Sequence, residues 1–181
     1  MKKVTGRPED MTGRTAAEIR TYDLLDRLSI PYERVDHAPA MTMEDCDAVD
    51  AVLGVSMCKN LFLCNRQQTK FYLLMMPGEK PFKTKELSHQ LGIARLSFAP
   101  EDFLLEYLDI HPGSVSVMGL FNDGENHVQL LIDSDLLSME YTGCHSCVNT
   151  SSLRIRTKDL LEVFLPAVHH TPIPVTLTGE G

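Results

Sequence analysis

Lys59 is the one formal charge between Ala51 and Cys64, in the run Ala-Val-Leu-Gly-Val-Ser-Met-Cys-Lys-Asn-Leu-Phe-Leu-Cys, and Asn60 follows it directly. Taking an ammonium into apolar surroundings is costly unless the stem packs inside while the head reaches water or a partner. Two roles are therefore open to Lys59: a snorkelling core lysine, or a charge aimed into a cleft for an anionic or carbonyl-bearing ligand. A second segment, His111-Pro-Gly-Ser-Val-Ser-Val-Met-Gly119, places Gly113 where backbone could approach a ligand and present N–H groups. The same Pro-Gly pair also serves as a plain turn. A third segment, Gly143-Cys-His-Ser-Cys-Val-Asn-Thr150, sets His145 between Cys144 and Cys147. Three soft donors suit zinc but fall one short of a closed site, and no second C-x-x-C or H-x-x-x-H follows. His169 and His170 stand far off in the tail. A redox C-x-x-C opens a helix after a strand, whereas here the segment leads into a strand-like run. The thiols read as small core residues, and His145 as either a satisfied structural histidine or a site residue in a glycine-led loop.

No Walker loop, H-E-x-x-H, G-x-S-x-G or dinucleotide fingerprint is present, so neither a protein nucleophile nor a resident metal has motif support. The 181 residues carry a net charge of −8 and 43% hydrophobic residues. That is enough chain for one domain with a real core, and too acidic for a broad non-specific grip on DNA or RNA. No stretch is apolar enough to span a membrane. The lysines at positions 2 and 3 are not followed by an apolar core, so no signal peptide is expected. Five cysteines, an odd number, point to reduced thiols in a cytoplasmic protein.

The elements that must position these residues follow from periodicity. Thr15-Ala-Ala-Glu18 is a capping-box pattern ahead of Ile19, Tyr22, Leu25 and Leu28, which predicts a helix over 15–28. Tyr32 to Asp36 reads as a strand and Met43 to Leu53 as a helix stopped by Gly54. Asn60–Cys64 and Lys70–Met76 form a hairpin. Short helices are expected over Thr84–Leu91 and from Pro100 to Leu108, with a strand at Arg95–Phe98 between them. Ser114–Phe121 and His127–Ile132 read as strands around the turn Asn122-Asp-Gly124. A short helical segment covers Leu136 and Leu137. A strand over Thr150–Ile155 and a helix over Thr157–Leu165 close the pattern. The class is α/β or α+β in one domain.

In this order and spacing, Cys58-Lys-Asn-Leu-Phe-Leu63, Lys70-Phe-Tyr-Leu73, Pro112-Gly-Ser-Val-Ser116 and Gly143-Cys-His-Ser-Cys-Val-Asn-Thr150 resemble the YbaK/prolyl-tRNA-synthetase-associated deacylase family. The nearest branch is that of the freestanding alanyl-tRNA(Pro) editing proteins, and the resemblance runs from about Thr15 to Leu165. It implies a compact mixed α/β fold on a largely antiparallel sheet flanked by helices. The deacylase domain would cover 14–166, between a mobile N-terminus (1–13) and a frayed tail (167–181). It implies an enzyme that hydrolyses the ester joining a wrong amino acid, alanine, to tRNA(Pro), with no cofactor and no metal. The resemblance assigns Lys59 to the 3′-terminal adenosine and its phosphate, with Asn60 orienting the same end. Gly113 opens a Gly-x-x-x-Pro loop whose backbone donors face the developing oxyanion, with Ser114 beside it. His145 shapes the amino-acid pocket, and Asn149 joins the substrate-binding set. Val117 stands where the family has the loop proline, and Ser146 where this branch often has one. The implied partners are the acceptor end of aminoacyl-tRNA and, through it, prolyl-tRNA synthetase, with no membrane and no DNA. Lys80, Lys83, Lys85 and Arg95, with Arg66 and Lys70, are candidate RNA contacts. Two further readings remain: a non-catalytic sensor of aminoacyl-tRNA or amino acid that keeps the pocket, and a thiol or metal protein using Cys144, His145 and Cys147.

Overall fold

Two sheets form where one was expected. In the computed structural model, which describes residues 1–180, the chain runs β1 (Lys3–Thr5), α1 (Ala16–Arg27), β2 (Tyr32–Asp36), α2 (Met43–Leu53), β3 (Cys58–Cys64), β4 (Phe71–Pro77), α3 (Thr84–Leu91), β5 (Ser97–Phe98) and α4 (Glu101–Leu108). A 3-10 helix (Val117–Asn122) follows, then β6 (Val128–Asp133), α5 (Ser134–Leu137), β7 (Tyr141–His145), β8 (Ser151–Arg156), α6 (Thr157–Asp159), a π-helical segment (Leu160–Phe164), α7 (Leu165–Ala167) and β9 (Ile173–Val175). One sheet has the order β1-β2-β8-β7 and the other β5-β3-β4-β6-β9. Only β4·β6 and β6·β9 pair in parallel, so the fold is largely antiparallel. The sheets meet where Met57 bridges to Gly143.

Local chemistry explains most of the elements. Thr15 Oγ1 accepts the Glu18 N–H at 3.1 Å and starts α1. Glu18 does not return the bond as a capping box would. Its buried carboxylate is held instead by Arg14 and by the Tyr22 hydroxyl, each at 2.6 Å. The complete box is on α2, between Thr42 and Asp45. Gly54 ends α2 with a left-handed φ.

Alternation along β3 sends Cys58, Phe62 and Cys64 into the larger core with α1 and α4, and Leu61 and Leu63 into a smaller core with α3 and the tail.

Four sequence expectations are corrected. Ser114–Phe121 is not a strand. Met118, Gly119 and Leu120 are buried in succession, and Ser116 caps a 3-10 helix by accepting the Met118 N–H. With no strand before it, Asn122-Asp-Gly124 makes no hairpin. Gly143–His145 is not loop but part of β7. A Cβ at Gly143 would stand 3.0 Å from Ser56 O, so only glycine lets β7 cross the 55–57 segment. Finally, both chain ends are bound into the sheets. β1 pairs with β2. Beyond residue 167, β9 adds to β6, Val175 and Leu177 are buried, and Thr178 bonds Glu86. Residue 181 lies outside the described residues. The Pro- and Thr-rich tail composition conceals this pairing because strand addition to an edge is a non-local event.

Candidate functional site

β3 has an open edge, and a cleft lies along it. β5 pairs only with Leu63 and Cys64, leaving Cys58 to Leu61 without a strand on that side. Ala99 N–H donates to Phe62 O, and two residues earlier the backbone of Asn60 faces the same way with no strand beyond it. The cleft, about 220 Å³, is lined there by Asn60, Leu61 and Phe62, across from Pro112 and Gly113, with Phe98 and Glu101 at one end. It falls below the roughly 300–1,000 Å³ of pockets for drug-sized ligands, which suits a small group. Gly113 takes φ 86°, a left-handed conformation that L side chains rarely adopt. Asn149 Nδ2 lies 4.0 Å from where a Gly113 Cβ would be. Ser114 is buried at the head of this loop.

Asn60 Nδ2 donates to Cys58 Sγ at 3.4 Å, while its buried Oδ1 has no partner. The atom is closed off from the cleft surface, so a ligand donor would reach it only after the side chain turns. Cys58 Sγ in turn donates to Gly143 O at 3.0 Å, which ties this edge to β7.

Ser116 joins the loop to the third segment. Its hydroxyl donates to His145 O at 2.6 Å while accepting the Met118 N–H. The His145 ring then heads a short chain: Nδ1 lies 3.4 Å from Ser152 Oγ, which lies 2.8 Å from His37 Nε2. His37 Nδ1 faces Ala38 O at 2.8 Å, so that nitrogen carries the proton. In neutral His37, Nε2 accepts from Ser152, whose oxygen is left to accept from His145 Nδ1. The outer nitrogen of His145 is then a free acceptor. Burial, and secondarily the neighbouring His37, pull the His145 pKa down to about 4. The imidazole is neutral at pH 7 and acts by shape and hydrogen bonding rather than by charge.

Lys59 is on the other side of the strand from Asn60. It shares the face of Leu61, and its Nζ donates to Lys80 O at 2.7 Å. No carboxylate lies within salt-bridge distance among the described residues. An ammonium has three donors, so two remain for an anion. No hydrogen bond joins Lys59 to Gly113 or His145 among the described residues. Of the expected site residues, Asn60 and Gly113 line the cleft, Ser114 and Asn149 stand beside Gly113, His145 is tied to the loop through its backbone carbonyl, and Lys59 is on the other face of the strand.

Val117 is fully buried in the larger core and lines no cleft. It opens the 3-10 helix, so its side chain bears on how the loop is anchored and not on the cleft surface. Cys144 and His145, successive residues of β7, point to opposite faces. Burial pushes the Cys147 thiol up to about 12 and the Cys144 thiol well above its ordinary value, which makes both poor nucleophiles and poor ligands. Of the candidate RNA contacts, Lys80 is spent on Asp133, Asp135 and Leu177 O. A second cleft of about 200 Å³ is lined by Glu106, Asp123 and Glu125, which would repel a phosphodiester. Sequence reasoning missed His37, Ser152 and Ser116. Only the first has a local signal, as a polar break at a strand end.

The model of the aminoacyl-tRNA editing domain matches residues 37–163. The chain belongs to the aminoacyl-tRNA editing family. The prolyl-tRNA editing protein ProX of Acetoanaerobium sticklandii is 30% identical over 139 residues, 77% of this chain and 85% of that protein. Prolyl-tRNA synthetase associated domain-containing protein 1 of Danio rerio is 32% identical over 153 residues, 83% of this chain and 82% of that protein. In fold, a crystal structure of a candidate trans-editing enzyme for prolyl tRNA synthetase superposes with a TM-score of 0.64 at 15% identity, covering 91% of this chain and 99% of that one. As an aminoacyl-tRNA editing protein the chain is a hydrolase of the ester in mischarged aminoacyl-tRNA.

The half-buried His145 of this editing protein has a measurable consequence. Its folded pKa of about 4 lies below the ordinary 6.5, so between those values the unfolded chain binds more protons and stability falls as pH falls. From pH 7 to pH 5 this costs about 2 kcal/mol. Urea unfolding at both pH values should show the pH-dependent gap shrinking by about that amount in His145→Gln relative to wild type. An unchanged gap would mean that the ring is not held neutral.

Proposed function

We propose that this editing protein hydrolyses alanyl-tRNA(Pro), with water attacking the ester carbonyl assisted by the substrate's own ribose hydroxyl. The observation that carries the reading is the composition of the cleft. It is small, it is lined by the Gly113 loop and Asn60, and none of its lining residues is a serine, cysteine or histidine, the Ser152–His37 pair lying outside that lining. In this reading Lys59 holds the terminal phosphate by its two remaining donors, as a compact point charge suited to a phosphate. Asn60 and Asn149 orient the terminal ribose and aminoacyl group, Ser114 and the Gly113 backbone stabilise the developing oxyanion, and neutral His145 closes the amino-acid pocket. Water adds to the carbonyl, its proton leaves through the ribose hydroxyl, and the bond to the esterified oxygen breaks, releasing alanine and tRNA.

The prolyl specificity is drawn from the names of the relatives, and the choice of alanine from size. Attraction alone separates small side chains by only ~1–3 kcal/mol, so the reading requires the bound tRNA end to leave room for a methyl group and not for the proline ring. The test is deacylation of tRNA(Pro) charged with alanine, serine, glycine or proline. Alanyl-tRNA(Pro) should be hydrolysed and prolyl-tRNA(Pro) spared. Faster release of serine or glycine would overturn the choice of alanine, and release of none would overturn the hydrolytic reading.

A further inference from the structure

Phe98 is 65% exposed, an unusual setting for a phenylalanine in a strand. Phe82 meets it edge-on, with ring centroids 6.1 Å apart, so the ring is held while one face stays open. Phe98 pairs with Leu63 across β5·β3, and cross-strand partners share a face. That face is the one carrying Leu61 and Lys59. Phe98 also lines the end of the cleft beside Leu61. Four residue steps take the strand from Leu63 to Lys59, about 13 Å along β3, with apolar Leu61 between the charge and the ring.

Two cations stand close to the ring in sequence. Lys83 follows Phe82, Arg95 precedes Phe98 by three residues, and both are exposed with no carboxylate in salt-bridge distance among the described residues. Glu101 is the acidic exception at the cleft. On a chain of net charge −8, exposed cations close in sequence to an open aromatic ring, with an ammonium that keeps two donors on the same strand face, form the pattern that binds single-stranded nucleic acid. Such sites combine backbone cations with rings on which bases stack.

We propose that Phe98 is a stacking platform for a nucleobase in the single-stranded 3′ end of the substrate RNA, with Lys59 taking a phosphate on the same strand face. This rests on the deacylase reading for the identity of the ligand, but not for its test. The probe is a short RNA ending in CCA, uncharged, and versions made abasic at one of the last three positions, titrated by fluorescence anisotropy at fixed salt. For wild type, one abasic position should weaken binding about tenfold. Phe98→Ala should weaken the intact RNA by a similar factor and erase the penalty of that abasic position, while Phe98→Trp keeps both. Equal affinity of Phe98→Ala and wild type, or an abasic penalty that persists in Phe98→Ala, would overturn the proposal and leave the ring free for a protein contact. If no aminoacyl-tRNA is hydrolysed yet this cycle shows coupling, the deacylase reading fails and the stacking site stands. Matching melting curves of the three proteins exclude misfolding as the cause of a loss.

Discussion

Lys59→Ala should lower deacylation of alanyl-tRNA(Pro) by about 10²-fold. Among the described residues the ammonium has one partner, the carbonyl of Lys80, and no carboxylate. Its remaining donors are available to a phosphate, and a charge-assisted hydrogen bond contributes about 1.5–3 kcal/mol, or up to about a hundredfold in rate when it holds the reacting end in place. Lys59→Arg should recover part of the rate, because the charge is kept while its position shifts. Folding should be nearly unaffected, since the side chain is partly exposed and its one bond is to backbone. Initial rates with charged tRNA(Pro), together with a melting curve, decide this. Alanine at this position with wild-type rates would remove Lys59 from the site altogether.

The largest effect on stability is expected far from the cleft. Asp123→Ala should cost about 3–5 kcal/mol and lower Tm by about 10 °C. The fully buried carboxylate receives the N–H of His127 at 2.9 Å, the N–H of Val128 at 2.8 Å and His170 Nε2 at 3.0 Å. Burial alone would raise its pKa, but the bond from His170 and those from the two backbone groups outweigh it and hold the group below the usual carboxylate range. His170 also faces Val168 O through Nδ1 at 2.7 Å. Truncating Asp123 leaves three donors without their acceptor, two of them buried. Asp123→Asn should cost less, because the amide oxygen can still accept. A loss under 1 kcal/mol for Asp123→Ala in chemical denaturation would mean that water replaces the carboxylate.

The strand Tyr32–Asp36 and the helices Met43–Leu53 and Thr84–Leu91 are readable from local pattern alone, because caps, glycine stops and amphipathic spacing are encoded within each segment. What was not readable depends on partners distant in sequence. β7 lacks alternation because Gly143 is chosen by the backbone of residues 55–57. The 3-10 helix is set by the bond from Ser116 to His145 O, 29 residues away. β9 exists only because β6 offers an edge. The candidate site divides in the same way. Lys59, Gly113 and His145 attract notice by type, yet the cleft is made by β5 stopping two residues along β3, and the His145 tautomer by His37 and Ser152. Both are tertiary facts.

The opposed directions of Lys59 and Asn60 also bear on how the chain avoids folding incorrectly. A slip of one residue between β3 and β4 would carry every side chain of β3 to the other face. Lys59 would then enter the larger core beside Met75 and Leu73. Phe62 would be turned out of that core at the same time. An unpaired buried ammonium is costly enough to make that misaligned hairpin unpopulated. The residue expected to hold the substrate therefore also guards the alignment of the two strands beneath it, and replacing it with an apolar side chain would weaken that guard even in a protein that still melts at the same temperature.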